Sequence, residues 1–476
     1  NLTAVDLLLK AGANPSAVNR YNVPPLSVAA EAGNAAVIMR LLDAGANPNT
    51  VAAGGETALM AASRSGNVQA VKALLARGAD VNARESVRGQ TALMWAAAEG
   101  HAAVIAVLVE AGADVTARSR RPTPPRAGSA APPPSATASE TDAPPATRER
   151  RAEPARPVGD YFVRSNGGVL NTLMVVDSMT PLMFAVRAGR MNAVRTLLDN
   201  GASANETSSN GLSVLVLAII NAHYELGGFL LDRGADPNAA GQGWTALHQV
   251  VATPRLSYGR FPHPAQTGRL SPIDLAKKLI AAGADVNARM TVPTMGDGYR
   301  TRLNRLGATP LLLAAKGAYP DMMELLLEHG ADLHAETVEE STALMLAAGV
   351  AIFNEGDDAG TEVETLRAVK LLVERGAAVN EVDANGETAM HGAAYRGHNS
   401  VVQYLADAGA RLDVPNRIGW TPLIIADGVL YAEFLKVHRD TAALLRQLLK
   451  ERGLAVDDSG IVNVDRDPRA NRSSGR

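Results

Sequence analysis

A short unit repeats along this chain, and the repetition constrains the fold more than any other sequence feature. One copy spans residues 385–411, with the sequence NGETAMHGAAYRGHNSVVQYLADAGAR. Thr388 is suited to cap the start of a helix, and Gly397 and Gly409 are suited to end two short helices at positive φ. Two short helices and a turn cannot bury an apolar face by themselves, so each unit must stack on further copies.

The spacing and the motif of the unit indicate a known repeat. The short intervals between closing glycines are about 33 residues, and a motif of the form T-P-L-H-x-A opens each first helix. The motif appears as TALMAA from Thr57, TALMWA from Thr91, TPLMFA from Thr180, TALHQV from Thr245 and TAMHGA from Thr388. The chain therefore resembles the ankyrin-repeat family. The resemblance implies an all-α solenoid of about ten full repeats after an N-terminal half repeat, each with two helices and a β-turn finger.

Composition along the chain predicts four segments. The segment 119–158 is rich in Pro, Ala, Ser and Arg, and we expect it to be disordered, because it has no large apolar side chain to bury. Because it falls within a finger, the repeats on either side are expected to stack directly. The predicted segments are 1–118 (the half repeat and three repeats), 119–158 (the disordered insert), 159–453 (seven repeats, with inserts near 254–270, 291–305, 350–363 and 429–439) and 454–476 (a disordered tail).

Composition and missing motifs argue against several classes of function. The chain has no cysteine, which excludes disulfides, zinc–thiolate sites and thiol catalysis. Its formal net charge of −3 comes from mixed charges, so no basic field attracts nucleic acid. No stretch approaches the roughly 18 consecutive apolar residues of a membrane span. Motifs of metalloproteases, P-loop enzymes and serine hydrolases are absent, so we expect no enzyme activity, cofactor or metal.

Some positions in the repeat predict packing rather than binding. The resemblance implies that His248 and His391, at the His position of the motif, hydrogen-bond between neighbouring turns. His101, His223 and His398 fall on the post-glycine position of the repeat, at the start of the second helix, and they are predicted to be structural as well. On the second helices, apolar periodicity predicts that Leu371 and Leu405 face the core.

The resemblance also implies where a partner binds. In ankyrin arrays a groove lies between the fingers and the first helices, and it is lined by the residue before the motif Thr and by the end of the first helix. At or beside these positions we predict six partner-binding residues: Trp244, Trp420, Tyr395, Arg396, Trp95 and Phe184. Trp, Tyr and Arg are frequent anchors of protein interfaces. These side chains are expected to be presented to solvent, although Trp95 and Phe184 have the alternative of covering the contact between repeats.

Segments such as GQTALMWAAAEGH and GWTALHQV also resemble a group of bacterial ankyrin proteins, many of them exported. This implies a bacterial protein, at the cell envelope or alternatively in the cytoplasm. The predicted function is a monomeric, non-enzymatic scaffold that holds a protein or peptide in its groove. One alternative is the non-catalytic part of a longer enzyme or sensor whose active domain lies upstream, since the chain begins within a repeat. Another is carbohydrate binding through Trp244 and Trp420.

Overall fold

The computed structural model describes residues 2–52, 54–120, 178–255, 265–292, 303–352, 360–431 and 434–456. The insert predicted at 119–158 lies outside these residues except for its first two positions, and the tail predicted at 454–476 lies outside them except for its first three. Parts of the smaller predicted inserts also lie outside the described residues, namely 256–264, 293–302 and 353–359. In the described part, a single helix, α1 (Leu2–Lys10), is followed by ten helix pairs.

The first helices of the ten pairs are α2 (Pro25–Glu31), α4 (Ala58–Ser65), α6 (Ala92–Glu99), α8 (Pro181–Arg187), α10 (Val214–Ile220), α12 (Ala246–Ala252), α14 (Pro310–Lys316), α16 (Ala343–Ala348), α18 (Ala389–Arg396) and α20 (Pro422–Asp427). The second helices are α3 (Ala35–Asp43), α5 (Val68–Ala76), α7 (Ala102–Glu110), α9 (Met191–Asp199), α11 (Tyr224–Asp232), α13 (Pro272–Ala281), α15 (Pro320–Glu328), α17 (Glu362–Glu374), α19 (Asn399–Asp407) and α21 (Arg439–Glu451). A 3₁₀ turn, Thr253–Arg255, follows α12.

The first helices start and end for local reasons. The hydroxyl of Thr57 accepts a hydrogen bond from the backbone N–H of Met60 at 3.3 Å, which satisfies one of the unpaired donors of α4. Gly66 ends the same helix at a φ of 76°, a conformation that favours glycine. The two residues therefore fix both ends of a helix that is only 8 residues long.

Each first helix from α2 to α18 packs against the next first helix, and the second helices form an adjacent layer. Side chains such as Leu59, Leu93, Val71 and Leu74 are buried between the layers. Burying one such side chain contributes about 1.5–3 kcal/mol relative to leaving it in water. The core is thus one continuous layer of apolar side chains that extends from repeat to repeat, as an ankyrin solenoid requires.

The fingers are joined to one another by a recurring asparagine. The side-chain amide of Asn238 donates to the carbonyl of Gly283 at 2.8 Å and accepts from the N–H of Asp285 at 2.8 Å, both in the next repeat. We call this pair of bonds an asparagine rung. The same rung is made by Asn49, Asn82, Asn205, Asn287 and Asn380.

The repeats on either side of residues 121–177 stack directly. Arg118 donates to the carbonyl oxygens of Ser178 at 3.1 Å and Thr207 at 2.8 Å. Arg190 donates to the carbonyl of Ala98 at 3.2 Å, and α6 packs against α8. The segment between them is therefore not needed to connect the two stacks.

The prediction of an all-α ankyrin solenoid is confirmed. The structure adds one local feature that the sequence did not indicate. Strand β1 (Val429–Tyr431) pairs antiparallel with β2 (Phe434–Lys436), between α20 and α21. This hairpin occupies the predicted insert near 429–439.

Candidate partner-binding groove

We define the groove as the surface between the fingers and the first helices. Arg64, near the end of α4, shows that the predicted groove positions adjoin. Its guanidinium lies 3.2 Å from the carboxylate of Glu31 on α2 and 3.4 Å from that of Glu56, which precedes the motif Thr. The same guanidinium stacks over the ring of Trp95 on α6, 4.6 Å from its centroid. One arginine thus connects groove positions of three successive repeats.

Trp95 and Phe184 occupy the same motif position in neighbouring repeats, but they differ in exposure. Trp95 is half-buried, and its indole N–H has no hydrogen-bond partner among the residues that the structure describes, so packing and the Arg64 stack hold it in place. Phe184 is only 5% exposed, with the guanidinium of Arg187 5.2 Å from its ring centroid. Of the two alternatives for Phe184, a side chain presented to solvent or one that covers the contact between repeats, the structure agrees with the second, because the ring is part of the buried core.

Two charge clusters lie on the first four repeats. Burial raises the pKa of Glu56; Arg64 lowers it, and Glu31 and Glu85 raise it further. Burial also lowers the pKa of Arg187, and the neighbouring Arg88 lowers it further. The cluster around Glu56 is therefore mainly acidic, and the pair of Arg187 and Arg88 is basic.

The predicted groove residues of the last two repeats are covered. Tyr395 is 6% exposed and Trp420 is 4% exposed, so the expectation that these side chains are presented to solvent is wrong. The backbone N–H of Trp420 donates to the side-chain oxygen of Asn416 at 2.9 Å. The backbone carbonyl of Trp420 lies 3.1 Å from Nε2 of His391 in the preceding repeat. Trp420 is thus part of the contact between repeats.

The chain leaving α16 explains why the groove closes beside Tyr395. Gly392 has no side chain at the motif position that Trp95 and Phe184 occupy elsewhere. A β-carbon on Gly392 would lie 2.6 Å from the backbone N of Val350, so the backbone after α16 passes directly over α18. Only glycine leaves room for this crossing.

Arg396 holds the segment that crosses α18 instead of facing an open groove. It donates to the carbonyl of Gly360 at 3.0 Å and to the hydroxyl of Thr365 at 3.2 Å, where the chain returns into α17. A β-carbon on Gly349, where the chain leaves α16, would lie 2.6 Å from Cδ of Arg396. Arg396 therefore contacts both ends of the insert predicted near 350–363.

Trp244 is half-buried, and its indole N–H donates to the side-chain oxygen of Gln249 at 2.9 Å. Gln249 in turn donates to the hydroxyl of Thr253 at 3.0 Å. Sugar stacking on both Trp244 and Trp420 requires open ring faces, and Trp420 is buried. The geometry therefore does not bring these two tryptophans together as a carbohydrate platform.

The middle of the groove is also covered. At the position of Arg64, later repeats carry Ile220 and Lys316, and each of these is only 3% exposed. Among the described residues, exposure at the ends of first helices is concentrated in the first four full repeats. We call this part the open groove, and it is lined by Glu31, Glu56, Arg64, Trp95, Glu99 and Arg187. Arg64 and Arg187 stand at positions that the motif assigns to the groove, so the sequence contained the signal for them.

Two of the predicted structural histidines join neighbouring repeats. Nδ1 of His391 accepts from the N–H of Thr388 at 3.0 Å, which leaves Nε2 to donate to the carbonyl of Trp420. His248 makes the same contacts with Thr245 and Ala308. Burial lowers the pKa of both histidines to about 4, so they pack as neutral rings.

Histidines after the first helices also bond to the preceding repeat. Nε2 of His101 lies 2.9 Å from the carbonyl of Arg64, and Nε2 of His223 lies 3.3 Å from that of Arg187. Burial lowers the pKa of His398 to about 4. In the described part of the chain, no group of three His, Asp or Glu side chains is placed to hold a metal ion, and no helix is long and apolar enough to cross a membrane.

Comparison with known proteins gives relatives from animals and a virus. The chain is 26% identical to human transient receptor potential cation channel subfamily A member 1 over 246 residues, which are 52% of this chain and 19% of the channel. It is 31% identical to the mouse B-cell lymphoma 3 protein homolog over 272 residues, 56% of this chain and 52% of the relative. A putative ankyrin repeat protein of fowlpox virus is 30% identical over 171 residues, 36% of this chain and 42% of the relative.

The match thus spans between about a fifth and about half of the length of these relatives. Because they are eukaryotic or viral, they give no support to the expectation of a bacterial, exported protein. The sequence profile described as "Ankyrin repeats (3 copies)" matches residues 1–85, 26–119, 160–241 and 360–436, and the profile "Ankyrin repeat" matches 306–338. Since these matches cover more than half of the chain, it belongs to the ankyrin-repeat family.

Proposed function

We propose that this protein is a non-enzymatic scaffold that binds a protein or peptide partner in its open groove. Ankyrin-repeat proteins generally mediate protein–protein interaction. The observation that carries the proposal is Trp95, a half-buried indole in the open groove, with an arginine stacked on one face. A rigid aromatic side chain next to an arginine is a frequent centre of binding energy at protein interfaces.

Trp95 is the proposed anchor among the six residues predicted from the sequence. Trp244 and Arg396 are partly exposed but bond to Gln249 and to Gly360, so their polar groups already have partners. The buried residues Phe184, Tyr395 and Trp420 support the repeats on which the groove is built. The proposal includes no cofactor, and it does not include nucleic acid, because acidic side chains line the open groove.

Selection from a displayed random-peptide library on the full chain tests the proposal. We expect selected peptides to bind the Trp95→Ala variant at least about tenfold more weakly, as for a residue central to an interface. Phe229→Ala is the matched control. Phe229 is also partly buried and stacked by arginine, with the guanidinium groups of Arg195 and Arg233 each 4.9 Å from its ring, but it lies on a second helix.

The control should leave the affinity of the selected peptides unchanged. Melting curves of both variants show that the comparison is made between folded proteins. Peptides that bind the Trp95→Ala and wild-type proteins equally well would place the binding site elsewhere. A selection that yields no binders would count against the scaffold proposal itself.

A second proposal is that the array is the non-catalytic part of a longer enzyme or sensor. One observation favours it, which is that the relatives extend well beyond the matched segment. In the human channel, for example, the match covers only 19% of the length. The reading frame upstream of residue 1 decides this point. A catalytic or sensor domain encoded there would support the second proposal, and the open groove would then recruit or position a partner for that domain.

A further inference from the structure

The open groove has opposite charge at its two ends. Glu31, Glu56 and Glu99 stand at groove positions of the first three full repeats, whereas Arg187 ends the first helix of the fourth. Arg88, on the finger of the third repeat, lies close enough to Arg187 to lower its pKa. The sign of the charge therefore changes from negative to positive along the direction in which the repeats stack.

The arginine at the acidic end is already engaged. Arg64 pairs with Glu31 and Glu56 and stacks on Trp95, so one guanidinium faces two carboxylates. The side chain of Glu31 is 70% exposed and is in contact with Arg64 only through one oxygen, at 3.2 Å. An incoming cation can therefore reach a carboxylate at this end without displacing Arg64.

The arginines at the basic end have no such partner. In the described ranges, no carboxylate forms an ion pair with the guanidinium of Arg187 or of Arg88; the buried carboxylate of Glu85 accepts instead from the backbone N–H of Arg88 at 2.7 Å. Arg187 contacts the ring of Phe184 and the sulfur of Met179, at 3.7 Å from Nη1, which orient the side chain without neutralising it. Like-charged neighbours that are partly desolvated favour an incoming anion.

We propose that the open groove selects a linear peptide segment with a basic residue at one end, an acidic residue at the other and an apolar side chain between them. The basic residue of the segment lies over Glu31 and Glu56, the apolar side chain lies on Trp95, and the acidic residue meets Arg88 and Arg187. This rests on the proposed scaffold function and adds the chemistry of the partner.

The spacing of the repeats sets the length of the segment. Packed helices lie about 8–10 Å apart, so Glu56 and Arg187, two repeats apart, are separated by roughly 20 Å along the array. An extended chain covers about 3.3–3.6 Å per residue. The two charged ends of the bound segment should therefore be about six residues apart.

Three synthetic peptides test the proposal on the full chain. They share one apolar centre and have blocked termini, so that only side-chain charges differ. The bipolar peptide carries lysines at one end and aspartates at the other, the second carries lysines at both ends, and the third carries aspartates at both ends. At low ionic strength we expect the bipolar peptide to bind about tenfold more tightly than either of the others, and added salt should reduce the difference.

Charge reversal in the protein sharpens the test. The Arg187→Glu variant should prefer the all-lysine peptide, and Glu31→Lys should improve binding of the all-aspartate peptide. Arg195→Glu is the matched control, since it reverses an exposed arginine that also stacks on an aromatic ring, at 4.9 Å, but on a second helix. This control should leave the preference for the bipolar peptide unchanged.

Equal affinity for the three peptides, or the same effect of Arg187→Glu and Arg195→Glu, would overturn the charge proposal while the scaffold proposal stands. Failure of all three peptides to bind would also overturn the charge proposal. The library selection distinguishes this from failure of the scaffold function, because Trp95-dependent binders of any charge pattern would show that the groove still binds peptides.

Discussion

Nε2 of His391 lies 3.1 Å from the carbonyl oxygen of Trp420, so a buried imidazole of one repeat holds the backbone of the next. The ring of His391 and the side chain of Trp420 are both buried. The backbone of Trp420 is thus fixed by the preceding repeat, and its side chain is part of the core rather than of the groove.

Truncation of Trp420 should therefore destabilise the array. We expect Trp420→Ala to cost about 3–5 kcal/mol, as is usual when a large buried aromatic side chain is removed. Urea denaturation followed by circular dichroism measures the loss, and Trp420→Phe serves as the control because it keeps most of the packing. A loss below about 1 kcal/mol would mean that the side chain is presented to solvent, as the sequence alone suggested.

The buried histidines should make the array sensitive to acid. The pKa of His391 is about 4 in the folded protein and 6.5 when unperturbed, so between these values the unfolded chain binds more protons. Stability therefore falls as the pH is lowered from about 6.5 to about 4, by on the order of 2–3 kcal/mol for this residue. His248 should act in the same way, because burial also lowers its pKa to about 4.

The His391→Met variant isolates this effect. Methionine occupies the same motif position at Met60 and Met94, so the repeat tolerates it. Its urea midpoint should be below that of the wild type at pH 7, and the gap should shrink as the pH falls toward 4. A gap that is constant with pH would show that the pKa of His391 is not lowered in the folded state. Replacing the exposed His334 by glutamine is the control.

The sequence predicted the helix ends well because the responsible residues act locally. Thr57 caps a helix through Met60 and Gly66 ends it, and both effects depend on neighbours within one turn. Helix faces were predicted less well. Leu405 is buried as expected, but on α17 Leu371 is only partly buried and Leu372 is the core residue. Leu372 lies four residues before the closing Gly376, as Leu405 does before Gly409, so the spacing to the closing glycine indicated the buried leucine and the prediction at Leu371 did not use it.

The motif positions could not predict which part of the groove is covered by the chain itself, because the covering segments are distant in sequence. The backbone at Val350 covers α18 only because Gly392 leaves space for it, and Arg396 then bonds to Gly360 and Thr365. A partial signal was present. Gly392 replaces the larger side chains that Trp95 and Phe184 provide at the same position, and such a replacement indicates close approach of another segment.

Cleavage of the long insert should leave the two parts of the array associated. Arg118 bonds to Ser178 and Thr207, and Arg190 bonds to Ala98, so the repeats on either side contact each other directly. We expect a protein cut at a protease site introduced between residues 127 and 150 to elute from gel filtration as one complex. Arg118→Ala should weaken the association of the cut protein only, because the uncut chain keeps its covalent link. Separate elution of the cut halves would show two independent domains.

The asparagine rungs predict which contacts between repeats are weakest. At the rung position, His334 stands where Asn287 stands one repeat earlier, and the equivalent acceptor and donor are the carbonyl of Gly376 and the N–H of Ala378. Asn287 uses both bonds, to Gly330 at 2.9 Å and Asp332 at 2.8 Å. We therefore expect His334→Asn to add a rung and to stabilise this contact by about 1 kcal/mol, the net contribution of one or two hydrogen bonds.

Amide hydrogen exchange reports on this change locally, without requiring the whole array to unfold in one step. In His334→Asn the amide of Ala378 should exchange more slowly, and in Asn238→Ala the amide of Asp285, which donates to Asn238 at 2.8 Å, should exchange faster. Asn200→Ala is the control, because the side-chain amide of Asn200 donates to the carbonyl of Thr196 in its own repeat at 2.7 Å. Its removal should leave the exchange of the backbone amides in the next repeat unchanged. Unchanged exchange at Ala378 in His334→Asn would mean that neighbouring fingers there are too far apart for a rung, and that the substitution of His for Asn follows from that spacing.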